Sequence, residues 1–471
     1  MKDDGFLGEG ARGHRPTYNP PLKPLPQPLR VYLRPHQAGP EAPTDSAPSR
    51  GLGGGGGGRA GTCSTGFQPV GTPKGRGSAG PPPLSSFSLQ ALVFALVGAA
   101  FTMIYITQPV LPVIQQEFQV SAGVASLTVS GVILGIALAN LPFGVLADRL
   151  PVRRIILVGG TAVALLGFLC ALTTNLKLLV GARFLQGLFI PSLSTCVAAY
   201  LAVTLPLDRL NVVMGSYVSA TVAGGLGGRL LGGWLHPPLH WRYALVTASV
   251  LLLAATWAAV RWLPEGEKKK SEGAIEGFLA LIARPNLRRI YLVAFGAFFV
   301  FSSVFNYLPF YLTGPPFHYS TQVITLLYLT YITGIIIGPL AGKLSNRLGN
   351  GGAMALGAGV FALALMVTLI KSRWALVAAL IGVCAGFFTI HAAAAGALNR
   401  RLTSSHGRAN SLYVLFYYLG GAAGITASGY AYSWGGWWGV ILLGLLMLFL
   451  PLGVGLRERG KEDSKGVEGV F

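Results

Sequence analysis

Three side chains that could bind an anion or carry a proton lie inside long apolar stretches of this chain. Arg183, Arg229 and His391 each occupy an apolar run of about 20 residues, which is the length that crosses a bilayer. An arginine presents a planar fork of N–H donors to a carboxylate or phosphate, and a histidine changes charge near physiological pH. A charged side chain in a membrane helix costs about 2.5–3.5 kcal/mol on insertion scales, so it usually serves a pathway or a partner.

The same stretches contain no acid. Asp and Glu are absent from the interiors of all twelve helices predicted below. A proton-carrying carboxylate at the membrane centre is therefore missing. Arg229 must be satisfied by backbone carbonyls, tyrosine hydroxyls or a ligand anion, which predicts a ligand with a negative or strongly hydrogen-bond-accepting group. His391 is either a titrating group or a hydrogen-bonded structural histidine, and the sequence leaves both open.

The composition indicates a polytopic membrane protein. Of 471 residues, 52% are hydrophobic and 11% are charged, against about 25% charged in a soluble domain. The four cysteines have no metal-type spacing, so no metal or cofactor is predicted. Metalloprotease, P-loop and Gly-x-Ser-x-Gly motifs do not occur, which argues against an enzyme.

Apolar runs predict an all-α membrane protein of twelve transmembrane helices. The predicted spans are 88–112, 122–145, 154–174, 177–203, 211–235, 240–263, 289–313, 321–342, 352–370, 373–398, 410–433 and 437–456.

Five regions follow from these spans. Residues 1–86 are rich in Pro, Gly and basic residues and are predicted to be a disordered tail. Residues 87–263 and 289–456 each hold six helices. A basic linker, 264–288, joins them, and 457–471 form a second tail.

The distribution of charge predicts the orientation. If the amino terminus is cytoplasmic, the loops and tail on that side hold 20 Lys and Arg beyond residue 86, and the opposite loops hold four. The positive-inside rule then places both termini in the cytoplasm and the chain in the cytoplasmic membrane. Because the net charge of +20 is sorted in this way, it does not indicate a nucleic-acid partner.

A loop between the second and third predicted helices carries a recognisable motif. Gly144, Asp148, Arg149 and Arg153 match the pattern Gly-x-Leu-x-Asp-Arg-x-Gly-basic-basic, and Pro151 replaces its second Gly. This resembles the corresponding loop of the major facilitator superfamily of secondary transporters. The resemblance implies a gating loop, in which a carboxylate between arginines forms bonds in one state and loses them in another.

An echo of this loop occurs 198 residues later. Gly342, Asn346, Arg347 and Gly349 repeat the spacing, with Asn in place of Asp. Two units at one offset predict two homologous six-helix bundles with pseudo-symmetry, which is the design of this superfamily.

Two further motifs resemble the superfamily. Arg183 and Gln186 match the fourth-helix pattern Leu-x-x-x-Arg-x-x-Gln-Gly, which implies proton or substrate coupling; the alternative is an arginine that snorkels to the outer surface. In the fifth helix, Arg229 stands where the antiporter signature Gly-x-x-x-Gly-Pro-x-x-Gly-Gly has Pro. Losing that Pro removes an expected kink, so antiporter behaviour does not transfer simply.

Small residues predict close helix contacts in both halves. The fifth-helix stripe is Gly224, Gly228 and Gly232, and Gly420 and Gly424 repeat it at an offset of 196. Small residues at a spacing of four let helix backbones approach closely.

Polar and aromatic side chains are candidates for a central cavity between the halves, where rings with hydroxyls suit organic solutes. Segments 304–312, 386–391 and 411–421, together with Arg229, resemble a bacterial drug- or sugar-efflux branch of the superfamily. The candidates are Tyr105, Gln108, Asn140, Gln186, Asn306, Tyr307, Tyr328, Tyr331, Tyr413, Tyr417 and Tyr418.

These features predict a secondary active transporter that acts as a monomer in the lipid bilayer. It would move a small organic solute by alternating access, with export favoured and proton antiport left open. The alternative from another class is a membrane receptor or scaffold on the same fold that transports nothing.

Overall fold

A computed structural model describes residues 86–205, 207–263, 277–403 and 405–468. Nearly all of the predicted 1–86 tail and residues 264–276 of the predicted linker lie outside the described residues. Within them the chain is α-helical with three short 3₁₀ turns and without strands, so the all-α prediction is confirmed for this part of the chain. The helices are α1 (Ser86–Tyr105), α2 (Leu111–Glu117), α3 (Ala122–Arg149), α4 (Val152–Leu172), α5 (Leu176–Phe189), α6 (Thr195–Thr204), α7 (Leu207–Trp234), α8 (Arg242–Trp262), α9 (Phe278–Ala283), α10 (Pro285–Thr313), α11 (Thr321–Leu327), α12 (Ile332–Val367), α13 (Arg373–Arg400) and α14 (His406–Glu468).

Nine segments of the described chain are long and apolar enough to cross a membrane. Two of them contain a non-helical break, at Gly349 in α12 and at Gly435 and Gly436 in α14. The chain folds back at the second break, because a Cβ added to Gly439 would lie 2.1 Å from the carbonyl oxygen of Ala431. Dividing both segments at these breaks gives eleven spans. The 28-residue α7 occupies the place of the predicted fifth span but is not among the nine segments.

Three predicted helices are interrupted rather than continuous. The first is broken by the 3₁₀ turn Gln108–Val110, the fourth by Ile190–Ser192 and the eighth by Tyr328–Tyr331. Pro109 and Pro191 lie in the first two turns and lack the N–H that a continuous helix needs. The third turn contains no proline, so its sequence gave no such signal.

Other boundaries also differ from the predicted spans. The predicted linker contains α9, and α10 begins at Pro285. The predicted tail after residue 456 continues as helix to Glu468. At the echoed gating loop, Gly349 has φ 72°, a conformation that glycine adopts readily. Pro151 in the first loop instead has φ −60° and precedes α4, so the two loops turn differently.

The two glycine stripes pack in the same way in each half. Gly224, Gly228 and Gly232 on α7 face the carbonyl oxygens of Gly98, Thr102 and Ile106 at the first span. Gly420 and Gly424 on α14 face those of Phe295 and Phe299 on α10. Each added Cβ would lie 1.9–2.3 Å from its oxygen, so only glycine permits these helix contacts.

Contacts between the halves differ on the two sides of the membrane. The side that holds residues 149–152 is called the inner side, and the other the outer side. On the outer side, Cβ atoms added to Gly123 and Gly233 would lie 3.2 Å from Gly429 and 1.8 Å from Thr325 of the other half. Near the inner ends, Gly144, Gly215 and Gly342 have no atom within 4 Å of an added Cβ. The halves therefore touch closely on the outer side, and these inner glycines are uncrowded.

The stripe on α7 yields a matched pair of substitutions. A Cβ added to Gly228 would lie 2.3 Å from a backbone oxygen, whereas one added to Gly227 finds its nearest atom 3.9 Å away. Both substitutions to Ala gain the same helix propensity. We expect Gly228→Ala to lower the free energy of unfolding by about 1–3 kcal/mol relative to Gly227→Ala, as measured by thermal unfolding of the purified protein. Equal stabilities would contradict the packing described here.

Candidate substrate cavity

A cavity of about 430 Å³ lies between the two halves, within the size range of small-molecule sites. Helices α1 and α7 contribute from the first half, and α10, α12, α13, α14 and the turn Tyr328–Tyr331 from the second. Aromatic rings form much of the wall. Phe298 stacks on Tyr417 with ring centroids 3.8 Å apart, and Phe301 stacks on Phe387 at 3.9 Å.

Arg229 forms the cationic part of this cavity and is only 3% exposed. Its Nε donates to Oε1 of Gln108 at 2.7 Å, and one terminal nitrogen donates to the carbonyl of Gly225 at 2.8 Å. The other terminal nitrogen donates to the hydroxyl of Tyr331 at 2.9 Å. Since Tyr331 belongs to the second half, this bond joins the two bundles.

Aromatic faces surround the Arg229 guanidinium in place of a counter-ion. Its central carbon lies 4.0 Å from the ring centroid of Tyr105, 4.3 Å from that of Tyr331 and 5.4 Å from that of Tyr328. Ring quadrupoles attract a cation but do not cancel its charge. Among the described side chains no Asp or Glu pairs with Arg229, so an anion in the cavity would meet an uncompensated charge.

The breaks in the helices bring these partners together. Tyr105 and Gln108 flank the break between α1 and the following 3₁₀ turn, and Tyr328 and Tyr331 begin and end the turn before α12. At a break the side chains leave the regular helical positions. Arg229 is therefore enclosed by residues from two interrupted helices.

His391 lies on the wall of the same cavity. Its Nδ1 is 2.9 Å from the hydroxyl of Tyr413, and its ring packs against those of Phe387 and Tyr417. The structure thus brings His391 and Arg229 to one cavity.

The other candidate residues divide between the cavity and its surroundings. Tyr105, Tyr331, Tyr417 and Tyr418 line it. Gln108 hydrogen-bonds to Arg229, and Tyr413 hydrogen-bonds to His391, and these two partners line the cavity. The hydroxyls of Tyr307 and Tyr328 donate instead to the carbonyls of Ile425 and Phe305.

Two of the predicted asparagines lie between the halves rather than on the cavity wall. The amide nitrogen of Asn140 donates to the carbonyl of Ser411 at 3.2 Å, and its oxygen accepts from Thr195 at 2.6 Å. The amide nitrogen of Asn306 donates to Oγ of Ser126 at 2.8 Å. Both residues join the second and first halves by single hydrogen bonds.

Arg183 does not line the cavity and does not reach the outer surface. It is fully buried and donates to the carbonyls of Met103, Ile104 and Thr128 at 2.7–2.9 Å and to Oε1 of Gln186 at 2.8 Å. Met103 and Ile104 belong to the last turn of α1, whose carbonyls lack intrahelical partners. Gln186 in turn donates to the carbonyl of Val163. Arg183 therefore caps α1 at its break and ties together three helices.

The predicted gating loops lie open on the inner side. Asp148 and Arg149 are exposed at the end of α3, and Asn346 and Arg347 are exposed in α12. Arg153 donates to the carbonyl of Leu263, with Nε at 2.7 Å, and so joins α4 to the end of α8. The ion pairs between described residues do not include Asp148.

Several lining residues escaped the sequence analysis. The apolar wall is formed by Phe101, Phe298, Phe301, Phe387 and Phe388. The predicted cavity residues were polar or carried hydroxyls, so these phenylalanines were not among them. A usable signal was present on α10, where Phe298, Phe301 and Phe305 recur at spacings of three and four and so share one helix face.

Comparison with known proteins assigns the fold. A sequence profile described as Major Facilitator Superfamily matches residues 93–370 and 331–470. This chain belongs to that superfamily. The inner membrane transport protein YnfM of Escherichia coli strain K12 is 29% identical over 364 residues, which are 76% of this chain and 87% of that protein.

Solved structures of transporters agree with this assignment. A bacterial homologue of the human lysosomal transporter Spinster, in an inward-facing and unoccupied conformation, matches with a TM-score of 0.61 at 16% identity, over 79% of this chain and 98% of that one. The human organic anion transporter MFSD10 matches with a TM-score of 0.60 at 17% identity, over 80% of this chain and 100% of that one. At these identities the likeness shows the fold alone. The major facilitator prediction is confirmed, and the chain is a multi-pass membrane transporter rather than a member of an enzyme family.

Because Arg183 makes several hydrogen bonds, a substitution there can distinguish a structural role from a role in coupling. A lysine ammonium cannot reach all the acceptors that the guanidinium fork bonds. We expect Arg183→Lys to lower the free energy of unfolding by about 1.5–3 kcal/mol, as measured by thermal unfolding. Arg373→Lys, at the exposed start of α13, is the control and should change little. Normal stability with abolished transport would instead assign Arg183 to coupling.

Proposed function

We propose that this protein is a secondary transporter that exports a small organic anion from the cytoplasm. The observation that carries the proposal is the environment of Arg229. This residue is buried on the cavity wall and held by neutral partners, without an acid among the described residues that contact it. A buried cation of this kind is stabilised most by a ligand that brings negative charge.

Alternating access accounts for the contacts between the halves. The outer side is closed by tight glycine contacts and by the Arg229–Tyr331 bond, whereas glycines near the inner ends are uncrowded. Such an arrangement suits a state that receives solute from the inner side. Opening the outer side requires the Arg229–Tyr331 bond to break, and a solute anion that takes over the guanidinium donors would compensate for its loss.

The distribution of charge supports an orientation in the cytoplasmic membrane with both termini inside, as predicted above. The inner side of the structure is then cytoplasmic. We propose that the transporter works as a monomer, because one chain encloses the cavity.

His391 is the residue through which pH would act. The titratable or charged described groups around it are Tyr413, Tyr417 and Tyr418 on α14, Tyr331, Tyr105, and Arg229 across the cavity. A protonated histidine adds positive charge to the cavity. Affinity for an anion should therefore rise as pH falls through the titration of His391.

Flux into proteoliposomes tests the assignment of Arg229 and His391. Radiolabelled benzoate is a suitable probe, because it joins a carboxylate to a ring. We expect saturable uptake by the wild type and an affinity about tenfold weaker in Arg229→Lys, which keeps the charge but loses the planar fork. His391→Gln should remove the dependence of affinity on pH.

The outcomes of this test are distinct. Unchanged affinity in Arg229→Lys together with an unchanged pH profile in His391→Gln would leave both residues structural. Binding of benzoate to the wild type without flux would favour the receptor alternative. Arg373→Lys serves as a control for the loss of an arginine fork outside the cavity.

The two predicted gating loops on the inner side differ at the acid position of the motif, which holds Asp148 in the first half and Asn346 in the second, so we expect substitutions there to affect transport differently. If the Asp148 carboxylate binds arginines when the inner side closes, Asp148→Asn removes a charge-assisted bond from that state. We expect transport by Asp148→Asn to fall about tenfold at normal expression, while Asn346→Ala retains most of its activity. Equal rates for the two variants would show that the gates do not differ in this way.

A further inference from the structure

Residues of α7 and α12 that line the cavity are also exposed, and the space between these two helices is called the opening. Val218 and Ser219 on α7 and Ile335, Gly338 and Pro339 on α12 line it. Val218 is 57% exposed and Ile335 is 61% exposed. These residues lie near the middle of their spans, so their exposed side chains lie at the depth of the hydrocarbon core.

Toward the outer side of this opening, α7 contacts α11 and the turn that precedes α12. Gly233 packs on Thr325, and Arg229 bonds Tyr331. Toward the inner side, Gly215 on α7 and Gly338 and Gly342 on α12 have no atom within 4 Å of an added Cβ. The gap between the helices therefore continues from mid-membrane depth toward the inner leaflet.

The side chains that line this cavity are polar at one end and apolar at the other. Arg229 and the hydroxyl of Tyr331 lie at the closed end. Val218 lies 11 residues before Arg229 on α7, which is about 16 Å along a helix that rises 1.5 Å per residue. Phenyl rings line the space between, and Val218, Val222 and Ile335 lie beside the opening. One end thus suits an anionic group and the other an apolar chain.

We infer that the solute is an amphipathic organic anion that reaches Arg229 from the inner leaflet. Its charged group moves along the cavity interior, because a charge in the hydrocarbon is costly. Its apolar tail passes between α7 and α12 and stays in contact with lipid. This inference rests on the proposed function and adds the class of the solute and its route.

The test compares two anions that differ only in the tail. Benzoate and 4-octylbenzoate share the carboxylate and ring. Their binding is measured by thermal shift of the full-length protein in nanodiscs of zwitterionic lipid. The wild type should bind 4-octylbenzoate about tenfold more tightly than benzoate or better. Ile335→Trp and, on the opposite edge, Val218→Trp fill the opening and should bring the ratio of the two affinities close to one.

Matched variants test the lateral route of the solute separately from anion binding at Arg229. Leu251→Trp places the same side chain at an exposed mid-helix position of α8 and should keep the wild-type ratio. A wild-type ratio in both opening variants, or equal affinities in the wild type, would overturn lateral access. Arg229→Met should weaken both anions about tenfold or more. If it weakens neither, the anion-binding function itself is wrong, whatever the ratio shows.

Discussion

The break in the first span, between Tyr105 and Gln108, is the feature on which the cavity depends. Helix α1 ends there in the middle of the bundle, so its last carbonyls need donors that lipid cannot supply. Arg183 provides them from α5. On the other side of the break, Gln108 accepts from Arg229. One interrupted helix therefore positions two buried arginines, one satisfied by backbone carbonyls and one turned to the cavity.

The ion pairs between described residues lie within one half or the other. Glu117 pairs with Arg242 within the first half, and Glu458 pairs with Arg401 and Arg289 within the second. Between described residues, the hydrogen bonds across the junction are donated by Asn140, Asn306, Arg229 and Gln322 to neutral acceptors. Glu458 is buried, and a buried ion pair is hard to break one partner at a time, whereas single bonds to neutral acceptors exchange more readily. This division suits halves that rock as rigid bodies.

The sequence predicted architecture better than it predicted contacts. The predicted spans followed from apolar length, and in the structure His391 and Arg229 line one cavity. The capping of α1 by Arg183 could not be predicted, because it depends on where a break exposes carbonyls. Glu458 was assigned to a tail, yet it is 5% exposed and joins three helices of the second half. The turn at Tyr328–Tyr331 contains no proline, so its own sequence did not indicate a break in the helix.

Arg229 stands where the signature has proline, and two of the broken helices face it. Helix α7 is continuous over 28 residues, so the irregularity that a proline would have introduced there is absent. The irregular backbone is found instead in the helices that face Arg229, where it presents Tyr105, Gln108, Tyr328 and Tyr331. A continuous helix carries the cation, and the broken helices around it supply the rings and the hydroxyl that contact it. The cation can then keep its place while its partners change, which is what an exchange between solute and the opposite half requires.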